Sequence, residues 1–404
     1  MTSPSAITLP AAGTTPLLAT TELQYASEDN AYGYGWLLDS YKNFRTAHFG
    51  PKVTDGSLSQ NWVGSWIKGT STRYDIVAGG PVTGAATGFE RKYTTGQLAK
   101  VGLSLGSPAK GKTGEVAPSG ILPGVDGGWS AWSLHKIPGA VTAYVSTADK
   151  VRWGFDFSQD GPADEDGIPA TESLYSIAPQ SLKAGKSYTK KVNTAVFGPA
   201  VTSGLGVLRD GDNIVGKLPL VADGRGNVGD SAYSSVNTVL YRNGKKLVQN
   251  EDPLSGVVPM AVPSGAADYR LTTSMRRSAK LSAVSTRIDA SWTFRSKHTT
   301  APTMLPVSTV RFTPNVTLDS RVTAGRTASV PVTVQGAAAG KNLKSLTVYV
   351  SYDAGKTWKK STVKAGKLSV KNPAKGKSIS YRADVTDKQG NKSSVSIYNA
   401  YFGK

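Results

Sequence analysis

Residues 345–358 read SLTVYVSYDAGKTW, and this stretch decides the fold class. Leu346, Val348 and Val350 alternate with Thr347, Tyr349 and Ser351, the period-two pattern of a half-buried strand. The strand runs into Ser-x-Asp-x-Gly-x-Thr-Trp, formed by Ser351, Asp353, Gly355, Thr357 and Trp358. This pattern is the Asp box, a tight hairpin turn. The Asp353 carboxylate accepts from the turn's own backbone N–H groups, Gly355 supplies a positive φ, and Ser351 adds a second local bond. Trp358 is expected to bury its ring on a neighbouring strand. A propeller would repeat the box, and the chain carries one copy. The expected role is a structural turn, not a sugar site.

Outward from this turn, the composition points the same way. The 404 residues include 44 Gly and 22 Pro, with Ser, Thr and Val abundant, so many short strands and turns are expected. There is no cysteine, which excludes disulfides, a thiolate nucleophile and cysteine-ligated zinc. No apolar run reaches the roughly 18 residues of a membrane span. The opening MTSPSAITLPAAGTTP has neither the basic nor the apolar region of a signal peptide and reads as a linker.

The formal charge is +19. From Lys341 onward, 14 Lys/Arg face three Asp, a surplus of 11. These lysines alternate with Ser, Thr and Val, as on the solvent face and edges of sheets. An anionic wall polymer is the functional alternative. Nucleic acid is disfavoured, because no aromatic stacking platform accompanies the charge.

The expected organisation is all-β and multi-domain, with at least two immunoglobulin-like β-sandwich modules after an aromatic-rich N-terminal region. Residues 1–18 read as a flexible linker and 19–182 as a β-rich domain holding six of the eight tryptophans. Residues 183–296 and 305–404 read as two sandwiches. Residues 37–44 suggest a short helix, and AVTAYV and VRWGFDF (140–145 and 151–157) a hairpin. Asn243-Gly244 marks a second hairpin, within 235–249, and Asp387–Asn391 a third.

VSYDAGKTWKK and KNPAKGKSISYRADVTDKQGNKSSVSIYNAYFGK, with the preceding PVSTVRFTPNVTLDSRVTAGRTASVPVTVQG, resemble the C-terminal end of large secreted subtilisin-like serine peptidases of actinomycetes. The resemblance is good over 305–404, fair over 183–304 and loose over 20–182. It implies an extracellular protein, and a catalytic peptidase domain upstream or in trans. It carries no catalytic motif. Of the three histidines, His48, His135 and His298, none is followed by Gly-Thr, and Gly69-Thr70-Ser71 continues as Thr72-Arg73 where the family has Met-Ala. No active-site residue can be carried over.

Other chemistry is sparse. Asp160, Asp164, Glu165 and Asp166 crowd one loop, so calcium is the only cofactor considered, through Asp160, Asp164 and Asp166; Pro162 breaks the EF-hand pattern. A solvated turn is the preferred reading, with no cofactor. Asp39, Asp75, Asp126 and Asp156 lie near aromatics, but nothing pairs them as a glycosidase requires. Trp129 and Trp132 are the candidate ligand contacts, for sugar rings or polypeptide. The function expected is thus a non-catalytic accessory region of a secreted peptidase, for stabilisation, substrate positioning or envelope attachment. The alternatives are a wall- or glycan-binding module and a stand-alone protease partner or inhibitor.

Overall fold

The structure, a computed structural model, describes residues 2–28, 30–125 and 130–404. Its regular structure there is β throughout, save two 3-10 turns at Thr95–Gln97 and Gly340–Asn342. No helix is long and apolar enough to cross a membrane. The chain forms two compact units: one of Met1–Leu105, Thr113–Ser158 and Ser176–Lys191, the other of Gly106–Lys112, Gln159–Tyr175 and Val192–Lys404.

The first unit is built on a seven-stranded sheet. Its order is Ser187–Val192, Leu98–Leu105, Gly139–Ser146, Thr72–Pro81, Leu58–Lys68, Thr15–Ala26 and Ala31–Leu38. One face packs Tyr74, Ile76 and Leu98 with Tyr93, and Ala19 and Trp62 with Tyr41. Trp62 stacks on Phe89 at 4.6 Å. The other face carries Arg73, Asp75 and Val77 toward the sheet of Ser133–Lys136, Thr113–Ile121 and Arg152–Ala163. Alternation along Thr72–Pro81 therefore serves two interiors, the second enclosing the Arg73–Asp75 pair beside the apolar Val77 and Trp153.

Three local expectations are corrected here. Residues 1–18 do not form a linker: Ser3–Thr8 is a strand paired with Arg45–Thr46 and Phe89–Lys92, and Ile7 packs into both apolar clusters. Residues 37–44 are no helix. Leu37 and Leu38 end an edge strand, and Tyr41 turns inward so that its hydroxyl donates to the Thr20 and Val63 carbonyls. The segments 140–145 and 151–157 do not pair with each other. Gly139–Ser146 lies between Leu98–Leu105 and Thr72–Pro81, while Arg152–Ala163 belongs to the second sheet. The Trp153 indole donates to the Ser146 carbonyl at 2.6 Å across this change of sheet.

The second unit ends in an immunoglobulin-like sandwich. Ser308–Phe312, Thr327–Gly336, Lys367–Lys371 and Val363–Lys364 form one sheet; Lys359–Ser361, Leu343–Ser351, Ser378–Asp387 and Lys392–Gly403 form the opposing strands. Phe312 stacks on Tyr381 between them, 4.4 Å apart and 10° from parallel. This split, with sequence neighbours exchanging sheets, is the sandwich logic of immunoglobulin-like domains. The second sheet continues past the expected 296/305 boundary: Lys392–Gly403 also pairs with Arg287–Ser296, followed by Ala267–Arg276, Ser235–Arg242 and Lys245–Asn250. Asn243 and Gly244, at φ 48° and 80°, make the tight turn of the last hairpin. Residues 206–304 add a four-stranded sheet of Met260–Ala261, Asn213–Lys217, Gly206–Gly211 and Thr299–Met304.

Candidate functional site

Trp132 is well exposed and stands on backbone fixed from both sides. The fixing group is Arg73, an almost fully buried side chain on strand Thr72–Pro81. Its Nε and Nη2 donate to the two Asp75 oxygens at 2.8 and 2.7 Å, and Ser65 Oγ, across the strand pair, donates to Asp75 Oδ1 at 2.9 Å. The remaining guanidinium hydrogens leave the strand. Nη2 donates to the Ala131 carbonyl (2.9 Å), and Nη1 donates to the Val116 carbonyl (2.7 Å) and Ser133 Oγ (2.6 Å). Ser130 Oγ adds a bond to the Pro118 carbonyl at 2.6 Å. Residues 130, 131 and 133 are thus all tied down around Trp132. A buried charge pair needs such complete hydrogen bonding to be tolerated.

The network extends to His135. Its Nδ1 lies 3.1 Å from the Thr70 carbonyl, which can only accept, so Nδ1 carries the proton and Nε2 accepts from Ser133 Oγ at 2.8 Å. Proton donation therefore runs one way, from Arg73 to Ser133 to His135 to Thr70. Burial pushes the His135 pKa down, the Thr70 bond opposes this, and the Arg73 charge lowers it further. The Ser133–His135 distance is that of a nucleophile and its base. Both side chains are buried, however, and the Ser133 oxygen is already engaged by Arg73. The group orienting His135 is a backbone carbonyl, where a triad has a carboxylate.

The other histidines have different partners. His48 Nε2 lies 3.0 Å from the Gly50 carbonyl, and His298 Nδ1 lies 3.0 Å from Asp212 Oδ1. The His298 bond is the main cause of a lowered Asp212 pKa.

The Asp box is assembled as a closed set of local bonds. Ser351 Oγ donates to Asp353 Oδ1 (2.7 Å) and accepts from Gly355 N (2.8 Å). Asp353 then accepts from Thr357 N at 2.9 Å and Thr357 Oγ1 at 2.5 Å, and these bonds hold its carboxyl well below the usual range. Trp358 meets Tyr398 edge-on at 6.0 Å. The Arg287 guanidinium lies over the Tyr398 ring at 4.8 Å. The Ser351 and Thr357 hydroxyls and both Asp353 oxygens are all used by the turn itself.

The acidic loop is not gathered as a metal site. Asp160 is buried on strand Arg152–Ala163, whereas Asp164 Oδ1 accepts from Asp166 N (3.0 Å) and Ile168 N (2.8 Å). Asp164 thus caps its own turn. Among the described residues no three His, Asp or Glu are placed to hold a metal ion. Of the four carboxylates near aromatics, Asp75 pairs with Arg73, Asp156 accepts from Ser119 and Ser176, and Asp39 is exposed. Asp126 and Trp129 lie outside the described residues.

Sequence reasoning missed Arg73 and Ser133. The available signal was TRYDIV, where two opposite charges alternate with apolar residues inside a strand and so face one interior. It also passed over AYGYGW at 31–36, which places three aromatic rings on one side of an edge strand.

No protein-family model matches the sequence, and no curated protein does. Among solved structures, the chain is similar to the insect immune protein hemolin, at 14% identity over 97% of each chain and a TM-score of 0.15. A likeness at that score carries no argument about this chain.

Proposed function

We propose that this chain is a non-catalytic accessory region of a secreted subtilisin-like serine peptidase, one that holds substrate or the cell envelope near the enzyme. The observation that carries it is the division of the histidine partners. His135 has a serine and a carbonyl, His298 a carboxylate, and His48 a carbonyl. A subtilisin-like serine peptidase needs one imidazole between a serine and a carboxylate. The resemblance of residues 305–404 to the C-terminal end of such peptidases supplies the setting. Treating the full chain with a fluorophosphonate probe is expected to leave every serine unmodified by mass spectrometry. A stoichiometric adduct, on Ser133 above all, overturns the reading.

A second reading, attachment to wall polymer, is favoured by Trp132, an exposed indole on backbone that Arg73 fixes. The exposed lysines of the C-terminal sandwich would add attraction to an anionic polymer. Co-sedimentation with purified peptidoglycan and teichoic acid across a salt series tests it. Binding should fall with salt and weaken at least tenfold in Trp132→Ala; no sedimentation at low salt removes it.

A further inference from the structure

The Ala31–Leu38 strand is an open sheet edge that lacks the usual protections. It forms the end of the seven-stranded sheet, paired to Thr15–Ala26 on one side, and no described strand pairs its other side. Its sequence, AYGYGWLL, contains no charge and no proline over eight residues. Other edges in the molecule are guarded: Lys245–Asn250 by Lys245 and Lys246, Lys359–Ser361 by Lys359 and Lys360, Ser187–Val192 by Lys190 and Lys191, and Thr299–Met304 by Pro302. Lysines and prolines placed on an edge in this way are how natural sheets refuse an added strand. This edge does the opposite.

Its two faces differ. Tyr32, Tyr34 and Trp36 project from one face with 58%, 70% and 49% of their surface exposed, about 6.8 Å apart along the strand. Tyr25, opposite Tyr32, extends the same row. On the other face Gly33 and Gly35 leave room for Glu22. A Cβ at Gly33 would lie 2.7 Å from Glu22 Oε1, so the carboxylate lies over the edge strand itself, steadied by a 3.4 Å bond from Asn61.

From these features we infer that Ala31–Leu38 captures an extended polypeptide by strand addition. The ligand's apolar side chains would lie against Tyr32, Tyr34 and Trp36, and a Lys or Arg on its opposite face would reach Glu22. Main-chain bonds along the edge supply affinity, and the alternating side chains supply selectivity. The row of rings repeats at the side-chain spacing of a strand, so each ring opposes one residue of the incoming chain. A polypeptide is favoured over a glycan because the outer edge offers a regular line of backbone donors and acceptors. The inference extends the accessory-region reading by naming its ligand class and rests on that reading only for its setting; fluorophosphonate labelling and peptide binding fail independently.

The test uses the full chain and a fluorescein-labelled Val-Lys-Val-Lys-Val-Lys peptide, read by fluorescence anisotropy and by hydrogen exchange at residues 31–38. Saturable binding and slowed exchange of those amides are expected. A peptide N-methylated at alternate residues, unable to form one ladder of bonds, should bind at least tenfold more weakly to the unaltered protein. Tyr34→Lys, which installs the missing guard at an exposed position, should weaken binding by a similar factor. Glu22→Gln should reduce binding of the Lys peptide more than that of its Ser-substituted counterpart. The inference is overturned by no binding, equal binding of the N-methylated peptide, unchanged affinity in Tyr34→Lys, or occupation of the edge by a second copy in sedimentation equilibrium. Displacement of the dye-labelled peptide by chitohexaose would assign the aromatic row to a glycan and overturn it likewise.

Discussion

Arg73 and Asp75, two residues apart on one strand, meet in a doubly hydrogen-bonded pair with 1% and 2% of their side chains exposed. Breaking one member leaves the other charged and buried, which typically costs about 3–5 kcal/mol. Asp75→Asn is expected to destabilise the protein by that amount in urea unfolding. Replacing both residues by apolar ones of similar size should cost less than the single change, because no uncompensated charge remains. A single-variant loss below about 1 kcal/mol would mean that the pair is solvated.

His135 makes this cluster sensitive to pH. Its folded pKa lies below the ordinary value, chiefly through burial, so the unfolded chain takes the proton first as pH falls. Stability should therefore be full above the unfolded pKa of about 6.5 and decline as pH drops through that value toward the folded one. Protonation would also put a donor where Ser133 now donates. Thermal melts between pH 8 and 5 should show the decline, and His135→Gln should flatten it over this window.

Gly355 tests the Asp box. Its φ is +85°, and a Cβ there would stand 2.3 Å from Tyr398 Cε1. Gly355→Ala is expected to cost about 1–3 kcal/mol from the backbone alone, with displacement of the Tyr398 ring visible by NMR. Ser351→Ala removes the bonds to Gly355 and Asp353 and should cost about 1–2 kcal/mol. Asp353, whose folded pKa is depressed, favours the folded turn above its unfolded pKa, and that contribution fades as pH falls toward the folded value.

Arg311, on Ser308–Phe312, gives its guanidinium almost entirely to backbone. It donates to the carbonyls of Gly198 (2.6 Å), Ala222 (3.1 Å) and Asp223, and burial pushes its pKa down to about 10. Arg311→Met would leave several buried acceptors without donors, at about 1–3 kcal/mol each. A total of about 3 kcal/mol or more is expected in denaturant unfolding, with Arg311→Lys recovering only part because it lacks the planar fork.

What was legible in the chain was local. SLTVYVSYDAGKTW and Asn243-Gly244 encode their turns within a few residues, and both turns form as read. Sheet membership is not local. Residues 140–157 look like a hairpin because alternation and a polar break are all a hairpin requires. Only the partners of Gly139–Ser146, which for Tyr144 are Lys100 and Tyr74, 44 and 70 residues upstream, place it in a different sheet from Arg152–Ala163. Arg73 was missed for the same reason: its acceptors lie at residues 116, 131 and 133.

The same non-locality bears on the C-terminal sandwich. Lys392–Gly403 has seven register partners on Arg287–Ser296, and the buried Trp292 indole donates to the Ser308 carbonyl at 2.8 Å. Arg287 covers the Tyr398 ring from that same neighbouring strand. A fragment of residues 305–404 would lose all three and expose Lys392–Gly403 as an edge whose single lysine lies at its start. Such an edge invites pairing with another copy. The fragment is therefore expected to self-associate and to melt well below the intact chain, which sedimentation velocity and circular dichroism will register. A monomeric fragment with a cooperative melt at the temperature of the full protein would show that the pairing with Arg287–Ser296 contributes nothing to the sandwich.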